Sequence, residues 1–269
     1  MTALALALLC AACTPRAGER PVTMPTSASG LAIAPDFAGT IWAATGRRVY
    51  RSRDGGHTWL LVPGRGGATG VAFLSTRVIT VGRRGVQVGG FGAAALPGPH
   101  PAPVPLVAVA SPYYRTNRLY AVDSSGRLWV SVRNAARWAR LRAAGLPTGA
   151  VADAAVRGDV HVPDVIYVAC AANGLWRSRD FGATFVRLPA LADATAIAAT
   201  TDQQRRLLAA SPTGIELSTN AGRSFTRVAS VRGVRAVAFD LRNWRLAYAA
   251  TADGRLLRSD DGGATWDGA

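Results

Sequence analysis

The sequence predicts an all-β fold of six four-stranded antiparallel blades, and three observations carry that prediction. The 29 Gly and 15 Pro are spread along all 269 residues, as many short strands joined by turns require. No helix-period stretch of useful length interrupts them. A turn-like octapeptide, SRDGGHTW at 52–59, recurs with variations at intervals of about 40 residues, the period expected of repeat architectures such as propellers.

The elements follow in chain order from that octapeptide. Its first serine has counterparts at Ser131, Ser178, Ser218 and Ser259, at gaps of 79, 47, 40 and 41 residues. The long first gap accommodates a degenerate second copy near Gly90, which makes six units. Each unit carries four short apolar segments: VADAAV, VIYVACA, GLWRSRD and TFVRL in the fourth, and VRAVAFD, RLAYAAT, RLLRSD and ATW in the last. A glycine marks the turn between second and third segments (Gly126, Gly174, Gly214, Gly254). Four strands per unit describe a β-propeller blade. One blade cannot bury both its faces whereas a ring of blades can, so residues 31–269 are taken as one domain without internal boundaries. A seventh, incomplete blade is the alternative count. RPVTMP (20–25) beside ATWDGA is the alternative way to supply an outer strand and latch the ring.

The octapeptide is read as a turn between third and fourth strands. An aspartate accepts hydrogen bonds from turn amides, a glycine supplies positive φ, hydroxyls cap locally and the final aromatic enters a blade interface. Ser52, Asp54, Gly56, Thr58 and Trp59 in the first copy, and Ser259, Asp261, Gly263, Thr265 and Trp266 in the last, resemble the Asp-box (BNR) repeat. Ser178, Asp180, Gly182, Thr184 and Phe185 match with Phe at the end. Ser218, Asn220, Gly222, Ser224 and Phe225 match with Asn for Asp, and SVRNAARW (131–138) is eroded. The resemblance covers roughly residues 31–268. It implies that these residues staple the fold on the face away from any active site.

The N-terminal MTALALALLCAACTP holds an apolar run too short for a comfortable membrane span and suited to a signal-peptide core. LCAAC resembles the lipobox of bacterial lipoproteins. That resemblance implies lipidation of Cys13, a leader over 1–13, a tether over 14–30 and an envelope location. Two departures are Cys10, three positions before Cys13, and the lack of a positive charge before the apolar run; secretion, an uncleaved anchor and a cytoplasmic protein stay open. Cys170, in VIYVACAA, reads as a buried inert thiol.

The charged residues narrow the chemistry. All 31 basic residues are Arg, for a formal net charge of +15, so neither a P-loop lysine nor a Schiff-base lysine exists. Relatives of the Asp-box superfamily include sialidases, xyloglucan hydrolases, sortilin-type receptors and photosystem II assembly factors, so the fold does not select a function. Glycosidases use two carboxyl groups, and sialidases add a Glu-activated Tyr and an arginine triad. The chain has only Glu19, in the tether, and Glu216, which stands where other units carry Tyr50, Trp129, Trp176 and Leu257. Glu216 is read as paired with an Arg, with an acid or base role as the alternative. Asp123, Asp153, Asp164, Asp202 and Asp253 are read as mostly turn residues. His57, His100 and His161 lack ligand spacing, and neither a metal nor a cofactor is expected.

In a propeller, the turns between second and third strands share a face with the connections between blades. TGRR (45–48), PGRGG (63–67) and GRRG (82–85) therefore bring Arg47, Arg48, Arg65, Arg83 and Arg84 to the edge between the first two blades. Five guanidinium groups on Gly-rich turns suit carboxylates or phosphates. The expectation is a monomeric, non-catalytic binding or assembly module for an anionic protein or glycan, with a glycoside hydrolase as alternative. A nucleic-acid partner is not expected, because the basic residues are not interleaved with aromatics.

Overall fold

The computed structural model describes residues 24–268 apart from 36–38, 65, 75, 113–116, 133–134, 148–150, 158–163, 171, 190 and 201–204. The first blade comprises β1 (Gly30–Ile33), β2 (Ile41–Ala44), β3 (Val49–Ser52) and β4 (Leu60–Val62). The second holds β5 (Gly70–Leu74), β6 (Arg77–Gly82) and β7 (Gly85–Gly90). The third holds β8 (Leu106–Ala110), β9 (Leu119–Asp123), β10 (Leu128–Ser131) and β11 (Trp138–Arg140). The fourth holds β12 (Val151–Arg157), β13 (Val165–Cys170), β14 (Gly174–Ser178) and β15 (Val186–Arg187). The fifth holds β16 (Ala196–Ala199), β17 (Leu207–Ser211), β18 (Gly214–Ser218) and β19 (Thr226–Ala229), and the sixth β20 (Val234–Phe239), β21 (Ala247–Thr251) and β22 (Leu256–Ser259).

Every pairing within a blade joins sequence neighbours antiparallel, so each blade is a meander with its first strand innermost. The innermost strands touch in the cycle β1, β5, β8, β12, β16, β20 and back to β1, which closes a ring of six blades as the repeat count predicts. Blades two and six depart from the four-strand expectation. Their fourth position is held by single bridges, Val86 to His100 and Arg258 to Asp267. In blade two the reason lies in LPGPHPAPVP (96–105), whose prolines cannot donate to a ladder.

No seventh blade intervenes between β20 and β1. Residues 20–23 of the alternative latch lie outside the described residues, and 24–29 form no strand. They run past Gly254, on which a Cβ would lie 3.3 Å from the Met24 carbonyl oxygen. Met24 and Ala28 are buried with Trp59, Ala236 and Tyr248, so side-chain burial joins the sixth blade to the first.

Six apolar clusters fill the six interfaces between blades, because the two faces of every sheet are both apolar and alternate along each strand. Cys170 lies in the cluster between blades three and four, and burial pushes its thiol up to about 11. A buried, protonated thiol is unreactive, as expected.

The inner strands show a stricter pattern. Ala32, Ala72, Ala110, Ala155, Ala198 and Ala238 occupy one register position, opposite Trp42, Ile79, Tyr120, Tyr167, Leu208 and Tyr248. Two residues earlier stand Gly30, Gly70, Ala108, Asp153, Ala196 and Ala236. Small side chains let six strands converge on one axis. Asp153 breaks the set.

Candidate functional site

Two kinds of surface emerge from a ring of meanders. One face carries the turns between third and fourth strands. The other carries the turns between second and third strands and the connections between blades.

On the first face the recurrent octapeptides build one hydrogen-bonded turn. Ser52 Oγ donates to Asp54 Oδ1 at 2.8 Å and accepts from the Gly56 amide at 2.8 Å. The Thr58 amide and hydroxyl both donate to the Asp54 carboxylate, at 2.9 and 2.5 Å. The same bonds recur around Asp180 and Asp261. Asn220 substitutes by accepting from the Ser224 amide and donating to its hydroxyl. In the eroded copy, buried Ser131 Oγ has no partner among the described residues. Hydrogen bonds from Thr184 and Ser178 hold the Asp180 carboxyl down at about 2. Burial pulls Asp261 upward, but the Thr265 and Ser259 bonds outweigh it and leave it also at about 2.

These turns face the preceding blade. Gly56, Gly182, Gly222 and Gly263 have φ of 97°, 90°, 82° and 87°. At Gly222 a Cβ would also lie 2.7 Å from Leu188 Cδ1 of blade four, so backbone and packing both demand glycine. Trp59 and Phe185 are buried, and Phe225 and Trp266 half-buried, each against the blade before. In the four clear copies the first hydroxyl, the Asp or Asn and the second hydroxyl are all engaged in bonds within the turn.

The opposite face holds the arginines singled out from the sequence. Arg47 and Arg48 lie in the β2–β3 turn and Arg83 and Arg84 in the β6–β7 turn, all exposed; Arg65 is outside the described residues. Backbone contact fixes the two turns relative to each other. The Gly46 amide donates to the Ala68 carbonyl at 2.6 Å. A Cβ on Gly67 would lie 2.2 Å from Gly46 O, and one on Gly82 would lie 2.1 Å from Gly67 O. Gly46, Gly67 and Gly82 are therefore stacked, which sets the two Arg-Arg pairs side by side.

Five arginines elsewhere pair with carboxylates among the described residues: Arg118 with Asp164 (3.9 Å), Arg127 with Asp123 (2.8 Å), Arg227 with Glu216 (3.1 Å), Arg255 with Asp253 (3.1 Å) and Arg258 with Asp260 (2.7 Å). Arg47, Arg48 and Arg83 have no carboxylate partner among the described residues. Glu216 is thus the paired residue expected of it. Its neighbour on the register is Arg227 itself, across β18 and β19.

The aspartates correct one expectation. Asp253 sits in a turn and accepts from the Thr251 hydroxyl, while Asp123 is the last residue of β9 and accepts from the Ser125 and Arg127 amides of the turn that follows. Asp164 is fully buried and accepts from Tyr120 Oη at 2.8 Å. Asp202 lies outside the described residues. Asp153 is not a turn residue but part of innermost β12, beside a bulge that shifts its register. Its Oδ1 accepts from the Ala154 amide at 2.8 Å and its Oδ2 from the Ile197 amide of blade five at 2.9 Å.

The Asp153 carboxyl lines a central channel of about 120 Å³ whose wall is otherwise apolar apart from Ser29 and Ser111. Burial pushes it up to about 7, against the pull of those two amides. It is the only charged side chain among the described lining residues. The signal was present in the sequence: ASGLAI, ATGVAF, LVAVAS, VADAAV, ATAIAA and VRAVAF align with Asp153 at a Gly/Ala position. Reading aspartates by composition, as turn formers, hid it.

His57 and His100 are exposed and His161 is outside the described residues. Among the described residues no three His, Cys, Asp or Glu side chains cluster as a metal site would require.

No family model and no curated protein matches the chain. Solved structures do match its fold. A GH74 enzyme of Niastella koreensis has 19% identity and a TM-score of 0.61 over 89% of this chain; the chain spans only 38% of that protein. YCF48 from Cyanidioschyzon merolae has 19% identity and a TM-score of 0.54, covering 93% of this chain and 87% of its own. YCF48 bound to D1 peptide has 17% identity and a TM-score of 0.55, over 93% and 83%. At such identities the likeness concerns the β-propeller fold.

Proposed function

We propose that this chain is an Asp-box propeller, exported and lipid-tethered through Cys13, that acts as a non-catalytic docking module for an acidic protein segment. Residues 1–23, with Cys10 and Cys13, lie outside the described residues, so the tether rests on the sequence alone. The observation that carries the reading is the pair of Arg-Arg turns locked together by the Gly46, Gly67 and Gly82 stack. Arg47, Arg48 and Arg83, which have no carboxylate partner among the described residues, are held on short turns and lose little entropy on taking up carboxylates from outside. A neighbour of the same fold, YCF48, has been solved with a peptide bound, which favours a protein over a glycan partner.

The glycoside hydrolase alternative draws on the GH74 neighbours. It requires two carboxyl groups flanking one bond. The channel wall among the described residues offers Asp153 alone, and Glu216 is tied to Arg227, so docking is the reading the site supports better.

Affinity capture from detergent-solubilised envelopes tests it, comparing the wild type with a variant in which Arg47, Arg48, Arg83 and Arg84 are all changed to Ser. A membrane protein retained only by the wild type is the expected result. Equal recovery by both would overturn the docking face, and a screen for glycan hydrolysis with Glu216→Gln as control would take its place.

A further inference from the structure

We infer that the central channel is a binding site for a primary alkylammonium group, with the Asp153 carboxylate as its anchor and the inner-strand carbonyls as its remaining acceptors. This site is separate from the arginine turns and stands or falls without them. Blade four lies across the ring from blade one.

Geometry supplies the first argument. The innermost strands are hydrogen-bonded on one edge only, so the amides and carbonyls of the other edge point toward the axis. Asp153 reaches across to the next blade and captures one such amide, that of Ile197. Two accepted bonds leave lone pairs on both carboxylate oxygens for a further donor. An ammonium group brings three N–H donors, enough to serve the carboxylate and two edge carbonyls at once.

Charge selects the ligand. Among the described residues no cation pairs with Asp153: β8 and β16 are wholly apolar. The ionisable groups on β13 are Tyr167 and Cys170, and on β9 Tyr120 and Asp123. Tyr120 is bonded to Asp164, and Asp123 to Arg127 and Trp129. A carboxylate placed in an apolar wall without its own counter-ion is complementary to an incoming cation. One carboxylate is too few for Ca²⁺ or Mg²⁺, which gather six or more oxygens. The apolar wall suits the alkyl stem of an amine.

The ammonium can come from a free small amine or from a lysine side chain of a polypeptide at the rim, and three probes separate these. Amide NMR spectra of the full chain are followed during titration with n-butylammonium, N-acetyl-lysine-N-methylamide and tetramethylammonium, at pH 8 and pH 5.5. Saturable shifts of the Ile197 and Ala154 amides with n-butylammonium at pH 8 are expected. Affinity should be roughly 30-fold weaker at pH 5.5, following the ionised fraction of a carboxyl titrating near 7. Both Asp153→Asn and Asp153→Ala should abolish the response while their dispersed spectra report an intact fold. Binding of n-butylammonium alone supports a small amine, and binding of the lysine derivative as well supports entry of a lysine. No saturable shift, an unchanged response in Asp153→Asn, or an equal response to tetramethylammonium, which lacks N–H donors, would overturn the site.

Discussion

Changing Asp153 to Ala should remove a pH-dependent penalty on folding. Ala stands at the equivalent position in blades three, five and six, so the backbone and its neighbours already accommodate it. The sign follows from the protons bound. Folded, the carboxyl titrates near 7, whereas in the unfolded chain it titrates near 3.9, so the folded state binds the extra proton between those values. Stability therefore falls as pH rises through that window and levels above it. At about 1.4 kcal/mol per pH unit, the ceiling is about 4 kcal/mol over the whole window, of which about 2.5 kcal/mol falls between pH 5 and 8. Asp153 is only half-buried, so solvent screening removes part of this and leaves about 1–2 kcal/mol for measurement. Urea unfolding of both proteins at pH 5 and pH 8 isolates the effect, because other groups titrate alike in the two. The wild type should lose about 1–2 kcal/mol more than Asp153→Ala between these pH values. Parallel losses in the two proteins would refute the reading of Asp153 as a half-buried carboxyl that titrates near 7.

Three further outcomes follow from the turn face and the interfaces. Asp180→Ala and Asp261→Ala should each raise the pH of acid unfolding, since these carboxylates contribute stability above about 4 that is lost as pH falls toward 2; circular dichroism during acid titration measures it. Gly222→Ala should destabilise by about 2 kcal/mol or more, because it forces a Cβ at positive φ against Leu188, and thermal unfolding checks it. Trp244→Ala should cost about 2 kcal/mol, since Trp244 packs beneath Arg206 of blade five at 4.6 Å and Arg245 at 5.4 Å; Trp244→Phe should recover most of that loss in chemical denaturation.

How much of this was legible in the sequence depends on whether a constraint is local. The recurrent turn closes within eight residues, through Ser, Asp, Gly and Thr bonded to one another, so spacing alone revealed the turn and through its period the ring. The convergence of Arg47, Arg48, Arg83 and Arg84 was also open to reasoning, because antiparallel neighbours dictate which turns share a face. What escaped was fixed by register. The bulge between Val151 and Asp153 turns Ala154 toward blade three and Ala155 toward blade five, and it sets the carboxylate against an amide 44 residues away. The weakness of blade two escaped for a related reason: LPGPHPAPVP keeps the length of a strand while its prolines withhold the donors.

The two faces of the ring are unequal for a physical reason that bears on where function resides. On the turn face, arginines leave one blade to satisfy carbonyls of the next: Arg51 donates to Ala93 O, Arg177 to Ala221 O and Arg206 to Gly262 O. Each of those guanidinium groups is committed to an interface, where a partner would have to displace a fold-stabilising bond. On the opposite face the turns are short, their glycines pack backbone on backbone, and no equivalent bond from Arg47, Arg48 or Arg83 to an adjacent blade occurs among the described residues. Asp153 opens toward that same face, because innermost strands begin there. Positive charge on blades one and two and a single carboxyl in the wall of blade four therefore form a polar axis across one mouth of the ring. The rim proposed to dock carboxylates and the channel proposed to take an amine would thus share one mouth, away from the turns that hold the blades together.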